Sequence, residues 1–320
     1  MGIGLVVVAT AAIATHVYHS FRAEQEAIQL IEESGGTVRL EALGWHRLLS
    51  VTPFSSYAQR VTQISLHSSA SDRDVRVLLD CPYVEHLDLG LSGVGDDGIK
   101  ALVPLTRLAA LNLRYTRITE HGLKHLGTLP RLQRLNASDT ELRGHAFANT
   151  DLFRSLTDLN VEGCDLTPEG VRAIGQLTSL RTLFVGEASV DDDTVGFLAS
   201  LPQLMNLNLR TTAISEAGVQ PLARISSLRF LDLGYTRVDD SAVEDLLRCR
   251  HLEGLSIANT KITFDGAVRL ATLPNLRILD VEGLDVSPLQ TDKLETSSKF
   301  LFRSSPLNPD GWGMFDNPDP

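Results

Sequence analysis

Leu108-Ala109-Ala110-Leu111-Asn112-Leu113-Arg114-Tyr115-Thr116-Arg117-Ile118-Thr119-Glu120-His121-Gly122-Leu123 holds two hydrophobic periods in succession. Around Leu111 and Leu113 apolar and polar residues alternate, the period of two of a half-buried strand. Beyond the turn, Leu123, Leu126 and Leu129 recur every three residues, the buried stripe of a short helix, and Pro130 follows. The stretch then returns. Leu108, Leu132, Leu156, Leu180, Leu204, Leu228, Leu252 and Leu276 lie 24 residues apart, and Val84 opens the series. A constant period of about 20 to 50 residues marks stacked supersecondary units rather than one closed core. A single unit cannot bury both of its faces, so stability becomes a sum over units and their interfaces.

This pattern resembles the leucine-rich repeat family over about two thirds of the chain, Val61 to Val286. Its ninth position departs from the usual asparagine, reading Ser92, Thr116, Thr140, Cys164, Ala188, Thr212, Thr236 and Thr260. A small hydroxyl there can still bond the backbone of the turn. The Thr-x-Ile/Val-Thr/Asp-x-x-Gly-Leu segment is more similar to bacterial, planctomycete-type repeats and to the cysteine-containing subfamily found with F-boxes. The resemblance implies an α/β right-handed solenoid, a horseshoe with a concave parallel sheet and convex helices. It does not imply a chemistry.

With 320 residues and a formal net charge of −11, the unbroken register predicts one elongated body with capped ends. This charge argues against a nucleic-acid partner, since phosphate binding needs clustered Lys and Arg on one face. The three cysteines, Cys81, Cys164 and Cys249, fall at inward or turn positions of different units. They read as buried small hydrophobes, with no disulfide framework.

Nothing from Met1 to Phe21 is charged apart from the amino terminus, and Ile3 to Phe21 as a helix reaches roughly 28 Å. An uncleaved single-pass membrane anchor over 1–21 is the favoured reading; a cleaved signal peptide ending near Ala12-Ile13-Ala14 and a buried helix are the others. The flanking charges leave the side of the solenoid open. A helix is predicted over Arg22 to Ser34, with Ala27, Leu30 and Ile31 on one side and Gly35-Gly36 at its end. A strand at Thr37 to Leu40 follows, and 22–60 forms an N-terminal cap with Leu40, Leu43, Trp45, Leu48, Leu49, Val51 and Phe54 as its apolar area. A distorted turn is expected between Leu132 and Ser155. The solenoid covers 61–286. Residues 287–320 form a C-terminal cap, with Phe300, Leu301 and Phe302, and a mobile tail from Leu307.

Candidate chemistry dissolves once placed in register. Gly90, Gly93, Gly95 and Gly98 lack nucleotide-loop spacing, and Gly98 aligns with Gly122, Gly170, Gly218 and Gly266. His121 and His125 lack the glutamate and third ligand of a metal site. Asp191-Asp192-Asp193 begins where Thr119, Thr167, Ser215, Asp239 and Thr263 fall, the helix-capping position. No serine or cysteine nucleophile pairs with a histidine base, so no enzyme, cofactor or metal is expected.

What remains is the outward face of the sheet. Its fifth position reads Asp88, Asn112, Asn136, Asn160, Phe184, Asn208, Asp232, Ser256 and Asp280. Such a row either bonds along itself or meets a ligand. Phe184 breaks it, and is expected to expose a ring. Phe184, Met205, Asn208, Arg210, Phe230, Asp232 and Tyr235 form one candidate protein-binding patch, with Arg114, Tyr115 and Arg134 as a second, because aromatic and arginine side chains dominate interface hot spots. The expected function is a non-catalytic, monomeric protein-interaction module at a membrane. A passive spacer or self-associating envelope component is the alternative. A ubiquitin-ligase substrate adaptor is a third reading, and the residues ahead of the repeats carry no F-box-like helical module.

Overall fold

A computed structural model describes residues 2–42, 59–66 and 68–284. Helix α1 (Gly2–Glu33) opens it. Gly35 turns left-handed at φ +84°. Gly35 N–H then donates to the Glu32 carbonyl at 3.0 Å and Gly36 N–H to the Ile31 carbonyl at 2.9 Å, the bond pair of a glycine-closed helix end. Strand β1 (Thr37–Ala42) pairs antiparallel with β2 (Gln59–Ser65).

One expectation for α1 is corrected. Ala27 and Ile31 are buried, but Leu30 faces outward and Glu24 lies inside instead. The β1–β2 register shifts between Arg39 and Leu40, passing over Thr62. The adjacent Val61 N–H donates to Glu24 Oε1 at 3.0 Å, while Arg60 Nη1 stands 3.7 Å from Glu24 Oε2. The carboxylate thus ties α1 to the irregularity in β2. Burial holds its pKa above the usual carboxylate range, against the Val61 hydrogen bond and the Arg60 charge.

From β2 onward the sheet is parallel and runs in sequence order. β3 (His86–Asp88), β4 (Ala110–Asn112), β5 (Arg134–Asn136), β6 (Asp158–Asn160), β7 (Thr182–Phe184), β8 (Asn206–Asn208), β9 (Phe230–Asp232), β10 (Gly254–Ser256) and β11 (Ile278–Asp280) complete it. Leu87, Leu111, Leu135, Leu159, Leu183, Leu207, Leu231, Leu255 and Leu279 stand in register across it. All are buried, as are the eight leucines of the 24-residue series. The sheet alternates with short helices such as Glu120–Leu126, Pro168–Ile174 and Phe264–Leu270. The solenoid expected from the repeat is the fold.

The turn after most strands is closed by the ninth-position hydroxyl, which the units of Cys164 and Ala188 lack. Thr116, Thr140, Thr212 and Thr236 donate to the carbonyls of Leu113, Ala137, Leu209 and Leu233 at 2.5–2.6 Å. A second ladder links successive units. Asp96 Oδ1 accepts the Thr119 N–H at 2.8 Å and its Oδ2 the Thr119 hydroxyl at 2.6 Å. Asp192 treats Ser215, and Asp240 treats Thr263, in the same way. These carboxylates explain the repeat glycine in four units, while at Gly170 the Arg143 backbone carbonyl fills the same space. A β-carbon at Gly98 would lie 2.5 Å from Asp72 Oδ1, and Gly122, Gly218 and Gly266 are crowded equally by Asp96, Asp192 and Asp240. Asp191 accepts from the N–H and hydroxyl of Thr194, closing a turn ahead of the helix Val195–Leu198.

The distorted unit occurs where expected. Gly144 sits at φ +88° before a 3-10 turn at His145–Ala148, and Glu120 accepts the N–H groups of Arg143, Gly144, His145 and Ala146. The three cysteines are free and buried. Burial, mainly, pushes the Cys81 thiol up to about 12 and the Cys249 thiol to about 11. Among the described residues no helix is long and apolar enough to cross a membrane, so the span expected over 1–21 gains no support. The cap residues Leu43, Trp45, Leu48, Leu49, Val51 and Phe54, the repeat end at Val286, and residues 287–320 lie outside the described residues.

Candidate protein-binding face

The fifth-position row is part of the fold. Asn112, Asn136, Asn160 and Asn208 accept, through Oδ1, the N–H of the residue two positions on, at 2.8–3.0 Å. Asp88, Asp232 and Asp280 do the same for Gly90, Gly234 and Glu282. The row also bonds along itself at both ends, Asn112 Nδ2 to Asp88 Oδ1 at 2.8 Å and Ser256 Oγ to Asp280 Oδ2 at 2.9 Å. Two contact expectations fall with this. Asn208 is buried, and Asp232 is 1 % exposed. Phe184 is corrected as well: it is 7 % exposed rather than a displayed ring. It stands in register with Asn160 and Asn208, one strand spacing of ~4.8 Å from each, which leaves a ring flanked on both sides.

What the fifth-position turn does is carry the eighth residue into left-handed backbone. Leu91, Tyr115, Asp139, Glu187, Thr211, Tyr235 and Asn259 all have φ between 51° and 63°, and Gly163 and Gly283 complete the series. A left-handed L residue costs about 1–2 kcal/mol. The cost is met because the eighth N–H reaches the neighbouring unit: Tyr115 donates to the Ser138 carbonyl at 3.1 Å and Tyr235 to that of Ala258 at 2.7 Å. The eighth positions therefore form a rim along the sheet. Sequence reasoning missed it, although Asp139, Gly163, Asn259 and Gly283, the residue types that tolerate this conformation, signal it.

On the rim the two tyrosines are half exposed, Tyr115 at 50 % and Tyr235 at 47 %. Each carries an arginine on its ring: the Arg114 guanidinium lies 4.9 Å from the Tyr115 centroid and that of Arg210 4.4 Å from Tyr235. Arg114 Nε also donates to Asp139 Oδ2 at 3.1 Å. Arg210 crosses to the next unit over Gly234, where a β-carbon would lie 2.7 Å from its Nη1. That Nη1 stands 3.9 Å from Asp232 Oδ2. Both atoms are buried without a hydrogen-bond partner. Burial holds the Asp232 carboxyl above its usual range despite the Gly234 N–H and the Arg210 charge. Met205 is exposed, and Phe230 is half-buried beside it across the strand start.

The second predicted group does not converge as one patch. Arg134 turns away from Arg114 toward His86, its Nη2 lying 2.9 Å from His86 Nε2. Burial and the Arg134 charge lower the His86 pKa. Arg114 and Tyr115 remain together on the rim.

A family model described as Leucine Rich repeat matches residues 80–103 and 154–175. No curated protein sequence matches this one. Among solved structures, internalin C2 from Listeria monocytogenes is similar at 22 % identity and TM-score 0.50, over 66 % of this chain and 84 % of that one. An internalin (inlF) from the same organism is similar at 15 % identity and TM-score 0.51, over 82 % of this chain and 94 % of that one. At these identities the likeness shows the fold, a leucine-rich repeat solenoid.

Proposed function

We propose that the chain is a non-catalytic module that binds a protein partner on the concave face of its sheet. The observation that carries this reading is the pair of half-exposed tyrosines on a left-handed rim, each with an arginine on its ring. Rigid aromatic and arginine anchors on a preorganised surface lose little entropy on binding. The docking residues are Arg210, Tyr235, Met205 and Phe230, with Arg114 and Tyr115 farther along. Phe184, Asn208 and Asp232 support them from within. Capture of a partner by the wild-type chain, lost in Arg210→Ala with Tyr235→Ala at unchanged unfolding midpoint, tests the reading; undiminished capture by that variant contradicts it.

The spacer reading draws on the fifth-position row, whose bonds are structural. Concentration-dependent sedimentation distinguishes it, since self-association is its signature. Retention at a membrane through the uncharged run from Met1 to Phe21 is a further part of the proposal, tested by an alkaline wash of membranes. The finer likeness to planctomycete-type proteins rests on the Thr-x-Ile/Val segment alone.

A further inference from the structure

We infer that the strand-start side of the concave face receives an acidic segment of the partner that also carries an apolar residue; this rests on the concave-face reading and names the partner's chemistry. Arg181, Met205, Arg229, Glu253 and Arg277 each stand one residue ahead of a strand, 24 residues apart. Each donates its N–H to the carbonyl of the one before: Met205 to Arg181 and Arg229 to Met205 at 2.8 Å, Glu253 to Arg229 at 2.7 Å, and Arg277 to Glu253 at 2.8 Å. The five are therefore adjacent rungs of one ladder, spanning roughly 19 Å at one strand spacing per unit.

Three guanidinium groups share one carboxylate in this row. Arg229 Nε and Arg277 Nη1 stand 3.9 and 3.6 Å from the Glu253 oxygens, and Arg181, which is exposed, has no ion pair among the described residues. The chain as a whole carries −11, so this local excess of positive charge runs against its surroundings. The apolar element is a separate observation. Met205 is 39 % exposed between Arg181 and Arg229, and the partly exposed Phe230 donates its N–H to the Met205 carbonyl at 2.9 Å. An exposed thioether between two guanidinium groups fits an apolar side chain flanked by carboxylates. The far end of the strands carries the other sign. Glu162 and Glu187 stand at the seventh and eighth positions, roughly 16 Å along the strand direction, which confines an acidic segment to the strand start. A long polyanion such as nucleic acid would also meet the acidic remainder of the chain, whereas a short segment meets only the patch.

The test is fluorescence anisotropy with labelled probes of equal length: peptides alternating glutamate with leucine, glutamate with serine and lysine with leucine, and a single-stranded oligothymidylate. Expected are tightest binding of the peptide of glutamate and leucine, weakening with salt, and about fivefold weaker binding by Arg181→Gln with Arg229→Gln. Met205→Ser should remove the preference for leucine over serine. Arg172→Gln with Arg224→Gln, an equal charge change at exposed positions on the helix side, keeps wild-type affinity. Equal loss in both double variants, or none in either, overturns the inference, as does tighter binding of the oligothymidylate with the same arginine dependence. Binding of the lysine peptide instead, sensitive to Tyr235→Ala, overturns the acidic partner and leaves the concave-face reading standing. If no probe's binding responds to Arg181→Gln with Arg229→Gln or to Tyr235→Ala, both fall.

Discussion

Asp96 and Gly122 sit 26 residues apart in sequence yet occupy one small volume, and their coupling can be measured. Asp96 contributes two charged hydrogen bonds to Thr119, and removing it in Asp96→Ala costs about 2 kcal/mol. Gly122→Ala places a β-carbon against Asp96, with Asp96 Cγ 3.1 Å and Cα 3.2 Å away. Because that carboxylate is fixed by its bonds to Thr119, it cannot yield freely, and the clash costs about 1–3 kcal/mol. In the Asp96→Ala background the carboxylate is gone. There Gly122→Ala loses most of the clash and gains the helix preference of alanine, about 1 kcal/mol, within Glu120–Leu126. The expected coupling is about 2 kcal/mol, read from urea midpoints of the four proteins at matched slope. Additivity within about 0.5 kcal/mol would refute the argument that the preceding unit's acid imposes the glycine.

Glu24 gives a pH signature. Its folded pKa is raised by burial, so the stability it contributes is fully present below the ordinary carboxylate range and is lost as pH rises through the folded value. Wild type should gain stability relative to Glu24→Gln as pH falls from 7 to 5; a constant difference between the two would contradict the buried charge. Thr211 is β-branched, exposed and left-handed at φ +58°. Thr211→Gly should raise stability by up to about 1 kcal/mol, and a loss in the unfolding midpoint would show the strain is not borne there.

The repeat was legible because it acts within one unit. The leucine period fixes strand register, Thr116 and its counterparts close their own turns, and Gly35 ends its own helix. What stayed hidden acts between units. Neither the Asp96–Gly122 contact nor the reach of Arg210 over Gly234 to Tyr235 follows from the pattern of a single repeat. Phe184 was misread because alternation gives the direction of a side chain from the sheet, not the cover its neighbours provide. On α1, the choice between Leu30 and Glu24 was decided by the irregular β2 register, which left Val61 N–H in need of an acceptor. Polar burial of this kind is set by tertiary geometry and leaves no hydrophobic signal.

The central claim is that the left-handed rim is the surface a partner meets. A photocrosslinking residue at Thr211, exposed between Arg210 and Thr212 on the rim, tests it against one at Val268, exposed on the helix Phe264–Leu270. The account predicts a partner adduct from position 211 and none from 268. Adducts from 268 alone, or equally from both, would contradict it.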